Sequence, residues 1–262
     1  MTDIGMNSNK TVHAYQTIAN DSKIARIGII QGFSQGSLQT FIFLWSPALR
    51  KFAQSTSSET VGLDSNNEPA YGLIFGAFMT MGVLGGLAEP TVRKTLEKMS
   101  KPFEPHDGAN KNDSDTHHLN PVTISILCSF CYLSCALLLL VPCILSLENI
   151  HSFTTCLVSF LVYELIIGIY MPCEGVVRSM HIPNDTICSI MTMLRIVVNV
   201  SVALGVISTN YIPIRSAFAL LSTLMMISAI TQMSLVPRHE QKDFFKGIAT
   251  NLGLISAKNK LN

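Results

Sequence analysis

Apolar residues run through this chain in long blocks separated by short polar stretches. The blocks fall at roughly 24–45, 70–88, 121–147, 153–172, 186–208 and 214–236. Each holds about 19 to 27 residues, against roughly 20 needed to cross a hydrocarbon core. None alternates with period 2, which argues against a transmembrane β-barrel. The pattern predicts an all-α membrane protein with six transmembrane helices. Residues 1–22 and 238–262 read as polar tails around a membrane domain over 23–237, with a hydrophilic loop at 89–120.

The blocks differ in detail. In the first, Gln31, Gln35 and Gln39 recur at i, i+4, i+8 and form one polar stripe, which should face protein or water rather than lipid. Trp45-Ser46-Pro47 is expected to close that helix at the interface. The second block carries two GxxxG pairs, Gly72/Gly76 and Gly82/Gly86, suited to close helix approach. The third and sixth are the blandest. Tyr170-Met171-Pro172-Cys173 is expected to end the fourth helix, leaving a polar turn over 173–185.

Composition agrees with a membrane protein: 48% hydrophobic and 13% charged residues, with mean hydropathy +0.38. A soluble domain carries roughly 25% charged residues. The net charge of +1 gives no basic field to suggest nucleic acid. The polar first 20 residues predict no cleaved signal peptide, so the first block would act as the insertion signal. The seven cysteines show no paired CxxC spacing and read as small thiols packed between helices. His106, His117 and His118 match no metal template and read as loop residues. With no P-loop, GxSxG or HExxH motif, neither an enzyme nor a bound cofactor or metal is expected.

Lys and Arg predict the orientation. With the N-terminus inside, the inner segments hold Lys10, Lys23, Arg26, Arg93, Lys94, Lys98, Lys101, Lys111, Arg178, Arg238, Lys242, Lys246, Lys258 and Lys260. The outer segments hold only Arg50, Lys51 and Arg215. Both termini are therefore expected in the cytosol, and the plasma membrane is the expected residence. The sequons at Asn20, Asn112, Asn184 and Asn199 then lie inside or within a span and should stay unglycosylated.

Two charges fall inside apolar blocks, Glu164 in the fourth and Arg195 in the fifth. Both lie roughly 12 to 14 Å from the cytosolic end of their helices at 1.5 Å per residue. Charges at such depth are costly and mark functional sites by default. Arg195 either pairs with Glu164 or faces a wet cavity, where its guanidinium suits an oxyanion. Asn199 lies one turn further out on the same face. Glu164, Gln35 and Gln39 complete the candidate substrate-binding set. Glu174 and Arg178, at i, i+4, read as a gate or headgroup anchor at the cytosolic face.

An ordered string carries a resemblance. It includes Phe43-Leu44-Trp45-Ser46-Pro47, Tyr71-Gly72-Leu73-Ile74-Phe75 and Glu164-Leu165, followed by Gly168, Tyr170, Pro172, Arg178-Ser179, Ile182-Pro183, Arg195 and Asn199. The chain resembles the C-terminal half of a major facilitator superfamily transporter, most of all the molybdate-anion transporter family. The resemblance covers about 24 to 238. It implies half of a twelve-span fold, built as two inverted three-helix repeats. Spans one, two, four and five would line the cavity, while three and six would face lipid. It further implies secondary active transport of a small anion such as molybdate by alternating access. The alternatives are a sugar or other organic solute, or a non-transporting half acting as a membrane interaction partner. The chain departs from the family at Glu174-Gly175-Val176-Val177, where the pattern is apolar or hydroxylic. The expected partners are the oxyanion, membrane lipid, and a second six-helix half or a second copy of the chain.

Overall fold

The computed structural model describes residues 21–54, 60–100, 120–145, 151–182, 187–209 and 211–252. Among these, seven α-helices form and no strand beyond an isolated bridge between Leu63 and Pro69. They are α1 (Ser22–Ala53), α2 (Tyr71–Ser100), α3 (Pro121–Ile144), α4 (Ser152–His181), α5 (Ile187–Thr209), α6 (Ile214–Met233) and α7 (Arg238–Asn251). The helices α2 to α6 are long and apolar enough to cross a membrane. The 32-residue α1 also has the length, but its glutamines and serines lower its hydropathy. Its polar side is covered by protein, because it packs on α4, α5 and α6. This is a multi-pass membrane bundle of the kind found in half of a major facilitator fold. The histidine trio of the 89–120 stretch and the sequons at Asn20, Asn112 and Asn184 lie outside the described residues.

Local chemistry sets the helix starts. The Asp21 side chain accepts from Lys23 N at 2.8 Å and caps α1. Asn120 does the same for α3, accepting from Val122 N at 3.1 Å, with Pro121 in the first helical position. The expected stops are less effective. Pro47, Pro90 and Pro172 all lie inside continuing helices. Thus α1 does not close at Trp45, α2 continues to Ser100, and α4 runs on to His181 rather than ending near Cys173. Proline removes one ladder bond, and packing against neighbouring helices holds the segment beyond it. Trp45 is likewise buried rather than interfacial, with its ring 5.2 Å from that of Phe78.

Small residues and aromatics set the packing. Gly28, Gly32 and Gly36 on α1 lie against Leu194, Val197 and Ser201 of α5. On α2, Gly85 lies against the backbone of Leu165 and Gly168 on α4, and Gly168 in turn lies against Gly82. A side chain at either position would meet backbone atoms, so only glycine permits this approach. Two other glycines of α2, Gly72 and Gly76, have open space beside them among the described residues. Ser129 and Ser222 stitch α3 to α6 through the carbonyls of Ala229 and Ala136, at 2.8 and 2.7 Å. In the core, Phe41 meets Phe160 edge-on at 5.0 Å, and Phe160 stacks on Phe218 at 5.5 Å.

The distribution of cover departs from the outward placement expected for the third span. Of the most apolar window of α3, 61% is buried inside the chain, against 17% for α2 and 11% for α5. The reason is that α4, α6 and α7 all pack on α3, whereas broad faces of α2 and α5 are left uncovered among the described residues. The polar tail expected after 237 also starts as a helix. In α7, Phe244 is buried in a cluster with Ile126 and Val236, and Asn251 Nδ2 donates to Met99 O at 2.7 Å.

Candidate functional site

The helix α5 packs chiefly on α1, and its opposite face is open. Cys188, Thr192, Arg195 and Asn199 recur at i, i+4, i+7, i+11, and all four are exposed. They form a polar stripe down a helix whose other exposed residues, including Ile196, Val200 and Leu204, are apolar. Lipid is a poor solvent for such a stripe.

Glu164 is not Arg195's partner. Among the described residues no ion pair joins them. Their helices follow one another in sequence but do not pack together, because α4 lies on α2 and α3. Glu164 is buried at 7% exposure, with its carbonyl near Gly82 of α2. Arg195 itself is exposed.

The glutamine stripe of α1 divides. Gln31 is buried, with Oε1 unpartnered, while Gln39 is half-buried. Gln35 Nε2 donates to Glu174 Oε2 at 3.4 Å, and Ser34 Oγ donates to Glu174 Oε1 at 3.2 Å. Glu174 is therefore no headgroup anchor: it is 5% exposed and turned into the bundle against α1. Continuation of α4 past Pro172 places it there. Phe160, Tyr163, Ile167, Tyr170, Glu174 and Val177 follow the i, i+3, i+4 spacing of one buried face. That spacing was the available signal. Arg178, one turn on, is half-buried and forms no ion pair with Glu174 among the described residues.

A third buried carboxylate, which the sequence did not point to, lies near Glu174. Glu89 of α2 accepts from Arg93 Nε at 2.8 Å and from the Cys173 thiol at 3.4 Å. Its position just before Pro90, in a stretch taken as loop, concealed it. Among the described residues no group of three His, Cys, Asp or Glu side chains is placed to hold a metal. A cavity of about 230 Å³ between α1, α5 and α6 is lined by Phe33, Leu204, Leu221 and Leu224 among others. None of the expected site residues lines it, and its apolar wall does not suit an anion.

The sequence comparisons fit this architecture. A family model described as sugar transporters, 12 TM, matches residues 5–103. A molybdate-anion transporter of Xenopus tropicalis is 24% identical over 225 residues, covering 83% of this chain and 41% of the relative. The chain thus spans about two fifths of the length of that relative. No solved structure matches. The apolar helices and the motif string are in keeping with both matches, and the chain is similar over most of its length to a molybdate-anion transporter and over its first part to the sugar-transporter family model.

Proposed function

We propose that this chain is one six-helix half of a secondary transporter that moves a small oxyanion, molybdate, by alternating access. The observation that carries this reading is the uncovered stripe of Arg195, Asn199 and Thr192 on α5. A guanidinium offers paired donors to an oxyanion, and Asn199 adds a further donor one turn away. The stripe needs an opposite wall, supplied by a second six-helix half or a second copy of the chain. The open faces of α2 and α5 are where such a wall would close. Arg178 would act as a gate near the end of α4. Both termini lie in the cytosol in this reading, and the protein resides in the plasma membrane. The molybdate-anion transporter relative supports the choice of substrate. The sugar-transporter description of the matching family supports a second reading, an organic solute on the same stripe.

The test is molybdate accumulation, measured by elemental analysis in proteoliposomes. They would hold the chain alone or with an N-terminal six-helix segment. Saturable uptake is expected with the second half present. Arg195→Ala should reduce it at least about tenfold, and Arg195→Lys should recover only part, because an ammonium lacks the paired fork. Saturable sugar uptake without molybdate uptake would favour the second reading. No saturable uptake of either solute would leave the chain as a non-transporting membrane partner.

A further inference from the structure

We propose that Glu174 is a proton-exchange site, alternating between carboxylate and carboxylic acid as the bundle changes state. The inference deepens the transport reading and rests on it for its role in coupling, although the site is built from this chain alone.

The argument begins with what surrounds the carboxylate. Glu174 is 5% exposed, and among the described residues no ion pair reaches it. Burying a carboxylate without a directly paired counter-charge is costly, and Arg178 acts on Glu174 only across a gap. A purely structural hydrogen-bond acceptor at this place could as well be an amide. The groups that do face it are suited to two protonation states. From α1 come Ser34 Oγ at 3.2 Å and Gln35 Nε2 at 3.4 Å. From α3 the fully buried Tyr132 hydroxyl lies beside it, close to Ser34 as well, with the Cys128 thiol behind. From α4 itself come Tyr170 and, one turn towards the helix end, Arg178. The Glu89–Arg93 pair of α2 is one step away, through Cys173. Hydroxyls donate to a carboxylate and accept from a carboxylic acid. Ser34 and Tyr132 can thus serve both forms by rotating, without movement of the backbone.

A metal cation does not fit this shell. It would require several oxygen acceptors, whereas Gln35 presents its NH2 group and the site offers a single carboxylate. A proton needs only that carboxylate. The step is simple addition: one proton from water at that end of the bundle bonds to a Glu174 oxygen, and the same bond breaks on release.

The unpartnered hydroxyls extend the site inwards. Tyr132, Tyr163 and Tyr170 are all fully buried, and among the described residues none of their hydroxyls has a partner at good hydrogen-bond geometry. The rings of Tyr132 and Tyr170 lie 4.9 Å apart. Tyr163 stands two turns from Tyr170 on the same face of α4. This series of hydroxyls leads from Glu174 towards Glu164, a distance of roughly 15 Å along the helix.

The experiment has two arms. In the first, the full chain in lipid nanodiscs is titrated with infrared detection of the carbonyl stretch of protonated carboxylic acids. The wild type should show a pH-dependent acid band that Glu174→Gln removes and Glu174→Asp retains. An unchanged band in the Gln variant overturns the proposal, and this arm needs no transport. In the second, the chain is reconstituted with an N-terminal half. Glu174→Gln should keep molybdate exchange at equal concentrations but lose, by tenfold or more, accumulation driven by a proton gradient. Gradient-driven accumulation at the wild-type level in that variant also overturns it. Absence of uptake in every variant would overturn the transport reading and, with it, the coupling role, while the infrared arm still decides the proton site.

Discussion

The Cys173 thiol donates to the same Glu89 oxygen, Oε1, that Arg93 Nε holds at 2.8 Å. One carboxylate thus ties α4 to α2 just beyond their glycine crossing. Replacing Glu89 with Ala leaves Arg93, whose side chain is 20% exposed, without its partner. The expected cost is about 1 to 3 kcal/mol, read as a lower unfolding temperature in detergent. Cys173→Ala loses only a weak thiol donor and should cost less than about 1 kcal/mol.

The glycines of α2 and α4 should separate sharply under substitution. Gly85→Ala and Gly168→Ala place a methyl against backbone atoms and should destabilise by about 1 to 3 kcal/mol. Gly72→Ala and Gly76→Ala meet open space and should change the stability of the isolated chain by no more than about 0.5 kcal/mol. Thermal unfolding of the four variants in one detergent checks this. Equal sensitivity in both pairs would contradict the crossing described here.

A third prediction concerns α7. Phe244 is buried at 5% exposure, and Gln241 Nε2 donates to the carbonyls of Met233 and Val236 at 2.9 and 2.8 Å. Phe244→Ala should cost about 3 kcal/mol. Gln241→Ala should cost about 1 kcal/mol by releasing the end of α6. Limited proteolysis between Pro237 and Asn251 should quicken in both variants.

Thiol labelling tests both packing and orientation. Cys188 is exposed, whereas Cys128, Cys131, Cys135, Cys156 and Cys173 are buried. A maleimide should therefore modify Cys188 first in the folded chain. On the proposed topology an impermeant maleimide reaches it only from the cytosolic side. Labelling from the opposite side alone would invert the orientation drawn from the Lys and Arg distribution.

How much could be read from the sequence depended on which signal each element carried. The helices α2 to α6 were legible because long runs without charge have few other uses. The polar stripe of Arg195 and Asn199 was legible from spacing alone. The ends of α1, α2 and α4 were not, because proline was read as a stop where tertiary packing carries the helix through. That same error hid Glu89 in a loop and placed Glu174 at a surface. Of the two alternatives for Arg195, the pair with Glu164 is not formed among the described residues, for a different reason. Proximity in sequence suggested adjacent helices, but helix order in space is set by glycine faces such as Gly28, Gly32 and Gly36. These let α5 lie on α1. The α7 helix escaped because its apolar contribution is a few residues, Phe244, Phe245 and Ile248, in an otherwise charged segment.

The interior prolines of α2 and α4 act together as a depth gauge. From Tyr71 to Pro90, and from Ser152 to Pro172, each helix rises roughly 30 Å, the thickness of a hydrocarbon core. Beyond each proline the composition changes, to Arg93, Lys94 and Lys98 on α2 and to Arg178 and His181 on α4. Glu89, Cys173 and Glu174 therefore lie in one plane where oil gives way to headgroups. On the proposed reading, a proton bound at Glu174 is shielded by protein yet has a short way to water, whereas Arg195, eight residues into α5, lies deeper. The two proposed sites would thereby load proton and anion at different depths on one chain.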